Sequence, residues 1–289
     1  MNPTPVQVNP GSSCDRLETL LNDSIEKGAI DLPLLPQIAS QVLSMVYDPN
    51  AEASKLAALI HQDQALAAHV IRIANSPAYM PRNPVVSLQH AVAMLGMNLL
   101  SEIAFTTSLK STALKVDGFE REIKSLWRHS LASGAYAKEV ARTRRFNVES
   151  AYLCGLLHAI GKPVVLRTVV ALSKEHKLEL EPGVVDGFLS GYHTRVGTLM
   201  AEKWALPKQV AESIAFYEHY GQSTVAPQEC MTTCLADRLA MHLLHPDLMD
   251  EAALRDHQVF VDLNLYPSDV DALLALKVKI SDAVEAMNL

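Results

Sequence analysis

Apolar residues recur every three to four positions along nearly the whole chain, whereas sustained alternation of β-branched residues between turns is nearly absent. That period predicts an all-α fold. Met1 to Gly11 reads as a tail, and Ser12 to Asp15 has the spacing of a capping box, opening a helix that Gly28 can end. Pro33 and Pro36 punctuate a turn before a helix over about Gln37 to Tyr47, which Asp48-Pro49-Asn50 stops. Helices over Ala53 to His61 and Gln64 to Asn75 follow, and the prolines at 77, 81 and 84 make Ser76 to Pro84 a loop. Ser87 is placed to cap the next helix, and Gly96 divides it from another that runs to about Leu109.

Asp117-Gly118 marks the passage to a second lobe. There the pattern predicts helices over Phe119 to Arg145, Glu149 to Ala159, Pro163 to His176, Val184 to Trp204, Pro207 to Tyr217 and Pro227 to Leu244. Ser268 is the expected cap of one last helix to about Met287, and His245 to Pro267 reads as a linker. The organisation expected is a tail and first helix (1–30), an N-terminal helical lobe (31–112) and a second helical lobe with C-terminal helices (113–289).

A chain of 289 residues with 49% hydrophobic and 20% charged residues can bury a large core and is not a disordered sequence. Its formal charge of −7 argues against a nucleic-acid partner, since phosphate-backbone affinity comes mainly from Lys and Arg. The one basic cluster, Arg142, Arg144 and Arg145, fits a helix C-terminus. Cys14, Cys154, Cys230 and Cys234 form no CxxC pair and read as core thiols. The first residues lack a signal-peptide pattern, and no uncharged run reaches the roughly 20 residues that cross a bilayer. The expectation is a cytoplasmic protein without membrane insertion.

Several stretches resemble one family. LPLLPQIASQVLSMVYDPNAEASKLAALIHQDQALAAHVIRIANSPAY (Leu32 to Tyr79) and SLQHAVAMLGMNLL (Ser87 to Leu100) are similar to the opening blocks of HDOD domains, with paired prolines, an Asp-Pro turn, a D-x-x-L helix and an Asn-Ser at its end. WRHSLASGAYAKEVA, YLCGLLHAIGK, GYHTRVGTLMAEKWALP and CLADRLA continue the resemblance through about residue 245. Gln64 stands where the family usually has Pro, and Arg195 where it often has an acid.

The resemblance implies a two-lobed bundle on the scaffold of the HD phosphohydrolases, which hold divalent metals with a His, a His-Asp pair and a distant Asp. Such metals lower the pKa of a bound water and supply hydroxide at neutral pH. His129 falls on the first His, His158 on the His of the pair, and Asp237 on the distant Asp. Ala159 stands in place of the paired Asp, which bridges the ions in two-metal members. His193 and His219 fall near further histidines of such members, Glu218 occupies a place that is often His, and Gly161-Lys162 keeps the family's Gly-Lys. A methyl group cannot coordinate, so the resemblance implies a degenerate pocket: no cofactor is required, and one zinc, iron, manganese or nickel ion on His129, His158 and Asp237 is the most it would hold.

Plainer readings stand beside these. A buried His is often a hydrogen-bonded core residue, and Lys162 is equally readable as a helix-end cation. In the first lobe Asp63, Arg72, Asn75 and Ser76 are candidates for a partner or ligand, although Asn75 and Ser76 also read simply as a helix stop. By resemblance, the function expected is a non-catalytic bacterial signal-transduction regulator that binds other signalling proteins. The alternative is a metal-dependent phosphohydrolase or phosphodiesterase acting on a nucleotide or cyclic dinucleotide, and a nucleotide sensor without turnover lies between them. No receiver, GGDEF or kinase segment accompanies the lobes, so input is expected from another chain.

Overall fold

A computed structural model describes residues 13–48, 50–79, 81, 83–111, 115–180 and 183–288. Among the described residues the chain is all-α, with fifteen α-helices, one 3₁₀ helix and no strand. The first lobe contains α2 (Gln37–Val46), α3 (Ala53–His61), α4 (Gln64–Ala74) and α5 (Leu88–Ser111). The second contains α6 (Glu120–Arg144), α7 (Val148–Leu157), α8 (Gly161–His176), α9 (Val184–Lys203), α10 (Lys208–Phe216), η1 (Tyr217–Gln222) and α11 (Pro227–Leu244). Helix α1 (Ser13–Glu26) precedes both, and α12 (Glu251–Arg255), α13 (Val259–Asp262), α14 (Pro267–Ala275) and α15 (Lys277–Asn288) follow.

Local chemistry explains most boundaries. Asp63 caps α4 by accepting from the Leu66 N–H at 3.0 Å, Asn147 caps α7 through the Ser150 N–H at 2.8 Å, and the Ser87 hydroxyl accepts from the His90 N–H at 3.1 Å. Gly28, at φ 63°, ends α1. Gly96 lies at φ 76° and ψ 167°, a region essentially reserved for glycine, so α5 is two helical segments meeting at a sharp corner. Ser12, in the capping box expected for α1, lies outside the described residues.

Three expectations are corrected. The stretch 245–267 carries two short helices, α12 and α13, in place of a plain linker, with Leu254, Val259 and Phe260 buried. The last helix is two, α14 and α15. Its cap is Tyr266 and not Ser268: Pro267 occupies the first turn, and the Asp269 carboxylate accepts from the Tyr266 N–H at 2.9 Å.

Helix α1 packs on α8 and α9 of the second lobe. Arg195 donates to Asn22 Oδ1 at 2.9 Å, and Tyr192 donates to Glu18 Oε1 at 2.9 Å. The basic residue that departs from the family pattern therefore anchors the first helix. The lobes are joined by a buried ion pair, Lys138 Nζ to Glu102 Oε2 at 2.5 Å, and by the Thr106–Tyr152 hydroxyl pair at 2.7 Å. Two stretches, Leu88–Lys110 and Val148–His176, match a membrane span in length and composition, but 50% and 72% of their apolar windows are buried inside the bundle. They are core helices.

Candidate metal centre

Two close helix approaches build the centre. A Cβ at Gly155 of α7 would lie 2.6 Å from the Ser133 carbonyl oxygen of α6, so only glycine lets these helices come together. A Cβ at Gly161 would collide with the His193 carbonyl oxygen, which fixes the approach of α8 and α9 in the same way. With α11 packed against both α6 and α7, His129 on α6, His158 just after α7 and Asp237 on α11 meet at one point at which their ligand atoms all lie within 4.8 Å of one another.

His129 Nε2 is 2.8 Å and His158 Nε2 is 3.2 Å from the same carboxylate oxygen, Asp237 Oδ1. His158 Nδ1 is 2.7 Å from the Gly155 carbonyl, which only accepts, so Nδ1 carries the proton. In the neutral ring Nε2 then presents a lone pair toward a carboxylate oxygen. Either a proton on Nε2 or a metal ion held by both groups satisfies the contact, and a backbone carbonyl at Nδ1 is the arrangement that orients a metal-binding imidazole. The donor set fits one divalent ion.

Burial alone would raise the Asp237 pKa, but hydrogen bonds from His129 and His158 outweigh it and hold the carboxyl well below its ordinary value. Burial lowers His129, against the opposing pull of Asp237, while His158 and Lys162 add like-charge repulsion. Asp237 is therefore a carboxylate and His129 resists protonation, the states that coordinate a metal.

Ala159 is 4% exposed, and its methyl occupies the place expected for the bridging carboxylate. His193 is fully buried beside this group but does not join it. Its Nδ1 donates to the Ser190 carbonyl at 3.1 Å, and its Nε2 accepts from the Tyr217 hydroxyl at 2.8 Å. That hydroxyl has one proton and a second acceptor, Glu218 Oε1, at 3.2 Å, and the shorter contact takes the proton. Tyr217 also lies edge-on to His158, with ring centroids 4.8 Å apart.

His219 does not reach the pocket. It is exposed, at φ −128° and ψ 48°, because the turn of η1 directs residue 217 inward and 219 outward. Tyr217 is the residue that reading the sequence missed. An inward aromatic two positions before a family histidine was the available signal. Lys162 lies in the first turn of α8, where the helix dipole disfavours a cation, so the helix-end reading fails. Its charge instead helps to keep His129 and His193 neutral.

The first-lobe candidates do not converge as a group. Asn75 clamps the following loop, with Nδ2 donating to the Ile71 and Val85 carbonyls at 2.9 and 2.8 Å and Oδ1 accepting from the Val85 N–H at 2.8 Å. Ser76 is buried, and Asp63 is the cap of α4. Arg72 is exposed on the last turn of α4 and, with Asp63, lines a neighbouring cleft.

An all-helical bundle that brings two histidines and an aspartate together from three elements defines a class of helical proteins with a buried candidate metal centre. More narrowly, the family model of the HDOD domain matches residues 32–220, and the chain belongs to the HDOD domain family. Among solved structures, an HDOD domain protein of unknown function from Geobacter sulfurreducens is 24% identical with a TM-score of 0.70, covering 94% of this chain and 98% of its own. A protein from Shewanella amazonensis SB2B, provisionally assigned as a metal-dependent phosphohydrolase, is 20% identical with a TM-score of 0.73, covering 94% and 99%. One from Marinobacter aquaeolei VT8, provisionally assigned to signal transduction, is 23% identical with a TM-score of 0.70, covering 96% and 67%. At these identities the likeness establishes the fold. An uncharacterized protein of Treponema pallidum (strain Nichols) is 26% identical over 221 residues, 73% of this chain and 42% of its own length, so the chain spans less than half of that relative.

Proposed function

We propose that this chain is a non-catalytic regulator of bacterial signal transduction that works by binding other proteins, on an HD scaffold reduced to at most one metal. The observation that carries the reading is Ala159, a buried methyl beside His158 at the one position where a two-metal site needs its bridging carboxylate. The engagement of His193 Nε2 by Tyr217 supports it, since this histidine, which the resemblance sets near those of two-metal members, already has a hydrogen-bond partner. Association with signalling partners and a cytoplasmic setting belong to the same proposal. In this reading the retained metal, zinc, iron, manganese or nickel, serves the structure and stabilises the junction of α6, α7 and α11.

The competing reading is a mononuclear phosphohydrolase acting on a nucleotide or cyclic dinucleotide, favoured by the convergence of His129, His158 and Asp237. A bound metal would polarise a water or phosphate oxygen there. His129 and His158 would hold it by neutral nitrogens, and ionised Asp237 would balance its charge. The deciding experiment is metal analysis of purified protein together with a screen for release of phosphate or linear dinucleotide. The regulatory reading expects substoichiometric to one equivalent of metal and no turnover. Metal-dependent turnover that His129→Ala abolishes would overturn it in favour of the enzyme. Thermal stabilisation by a nucleotide without product would mark a sensor instead.

A further inference from the structure

A cleft of about 560 Å³ opens on the first lobe, away from the metal centre, between the start of α2, the length of α4 and the end of α5. Its volume lies in the range of small-ligand sites. Its walls carry Arg72 and His69 from α4 and Lys110 from α5, with Pro36, Gln37 and Ile38 opening α2 at one end. The ten-residue α2 begins at Pro36 without a side-chain cap, so the partial positive charge of its first turn is not offset by a side chain of its own.

His69 supplies an independent sign of a ligand. It is 8% exposed, it lines the cleft, and its Nε2 has no hydrogen-bond partner. An imidazole nitrogen buried without a partner is destabilising, and a donor or acceptor from a bound molecule would remove that cost. Burial first, then the charges of Arg72 and Lys110, lower the His69 pKa, and burial with Lys124 and Arg72 lowers Lys110. The acid at the cleft, Asp63, is already engaged with the Leu66 N–H as the cap of α4. Lys110 also donates to the Asn288 carbonyl at 2.6 Å, which holds its ammonium at the cleft's edge.

From the convergence of Arg72, Lys110, His69 with its unsatisfied Nε2 and the uncapped start of α2 on one cleft, we infer that the first lobe binds a small phosphomonoester. An anionic phosphate group complements two cations and a helix N-terminus together, and its oxygens accept from guanidinium, ammonium and imidazole N–H alike. The remaining volume, walled partly by Ile38, Ala65 and Leu66, takes the rest of the molecule. This site is separate from the metal centre and stands whether or not the chain is an enzyme.

The test uses the full chain in the presence of EDTA, so that a metal-bound phosphate cannot contribute. Melting temperature is followed while inorganic phosphate, a sugar phosphate and a nucleoside monophosphate are titrated against chloride of equal ionic strength. The expected result is a saturable rise with at least one phosphate probe, the best probe identifying the organic portion. Arg72→Gln and Lys110→Gln each weaken that binding by about tenfold or more. Two variants are needed because Lys110 also holds the C-terminal helix through Asn288. No rise beyond that given by chloride, or wild-type affinity in both folded variants, overturns the proposal.

Discussion

At the position after His158 a single side chain separates two kinds of chemistry. Replacing Ala159 with Asp returns a carboxylate beside His158 at a buried site that already holds ionised Asp237. Without metal the added charge is repelled and poorly solvated, a penalty on the order of 3 kcal/mol. With metal the same charge becomes a ligand. Ala159→Asp is therefore expected to melt lower than the wild type in EDTA, yet to gain more stability from added manganese or zinc and to bind it more tightly. Equal metal affinities by titration calorimetry would show that residue 159 does not face the ion. Turnover is not expected to return automatically, because second-shell orientation and a substrate pocket are separate requirements.

Protonation at His193 gives a second expectation at this scale. Burial, then repulsion from Lys162 and His158, lowers its pKa from the ordinary histidine value of 6.5 to about 4. Below pH 6.5 the unfolded chain takes up a proton that the folded chain refuses until about pH 4, so stability is present above that window and falls through it. The loss attributable to this residue is on the order of 3 kcal/mol for the metal-free protein. Urea denaturation between pH 4 and 7 should show a shallower pH slope in His193→Asn than in the wild type. Superimposable slopes would contradict the assignment.

Among the elements, two glycine positions control geometry that no apolar pattern encodes. Gly96 turns α5 through a backbone region that other residues scarcely enter, and Gly96→Ala should cost about 1–3 kcal/mol in chemical denaturation while leaving metal binding unchanged. Gly161→Ala acts differently. Its methyl would press on the His193 carbonyl and force α8 away from α9, an overpacking cost of about 1–3 kcal/mol. Since α8 follows directly after His158 and Ala159, metal affinity should fall along with stability. A Gly161→Ala protein with wild-type metal affinity would show that this helix contact does not position the centre.

For the molecule as a whole, the two lobes share a buried charge pair, and this makes them interdependent. Glu102 and Lys138 are 8% and 15% exposed, and burial raises the Glu102 pKa against the opposing pull of Lys138. Lys138→Met removes the partner and leaves a carboxyl stranded between the lobes, a cost of about 3–5 kcal/mol, whereas adding Glu102→Leu should recover much of it. Recovery in a double-mutant cycle would establish that the pair couples the lobes. Additive losses would argue that each residue acts separately. Such a shared buried pair is also where binding to one lobe would be felt in the other, as the regulatory proposal requires.

How far the sequence reached can be argued from particular residues. Helical periodicity, the cap at Ser87, and the breaks at Gly28 and Gly96 are local properties, and each depends on chemistry within a few positions of itself; these determined the all-α fold and most helix boundaries. The division of the last helix and the short α12 and α13 were not legible, since segments of four to nine residues hold together mainly by packing on the bundle. Family spacing pointed to His129, His158 and Asp237, but their meeting within 4.8 Å depends on the close approach of α6 and α7 at Gly155 and on the packing of the sequence-distant α11 against both. The inward turn of Tyr217 onto His193, the outward turn of His219, and the grouping of Arg72 with His69 and Lys110 were decided only by tertiary structure. A helical pattern records which face is buried, whereas a site depends on which buried faces are brought together and on the rotation of one turn at their junction.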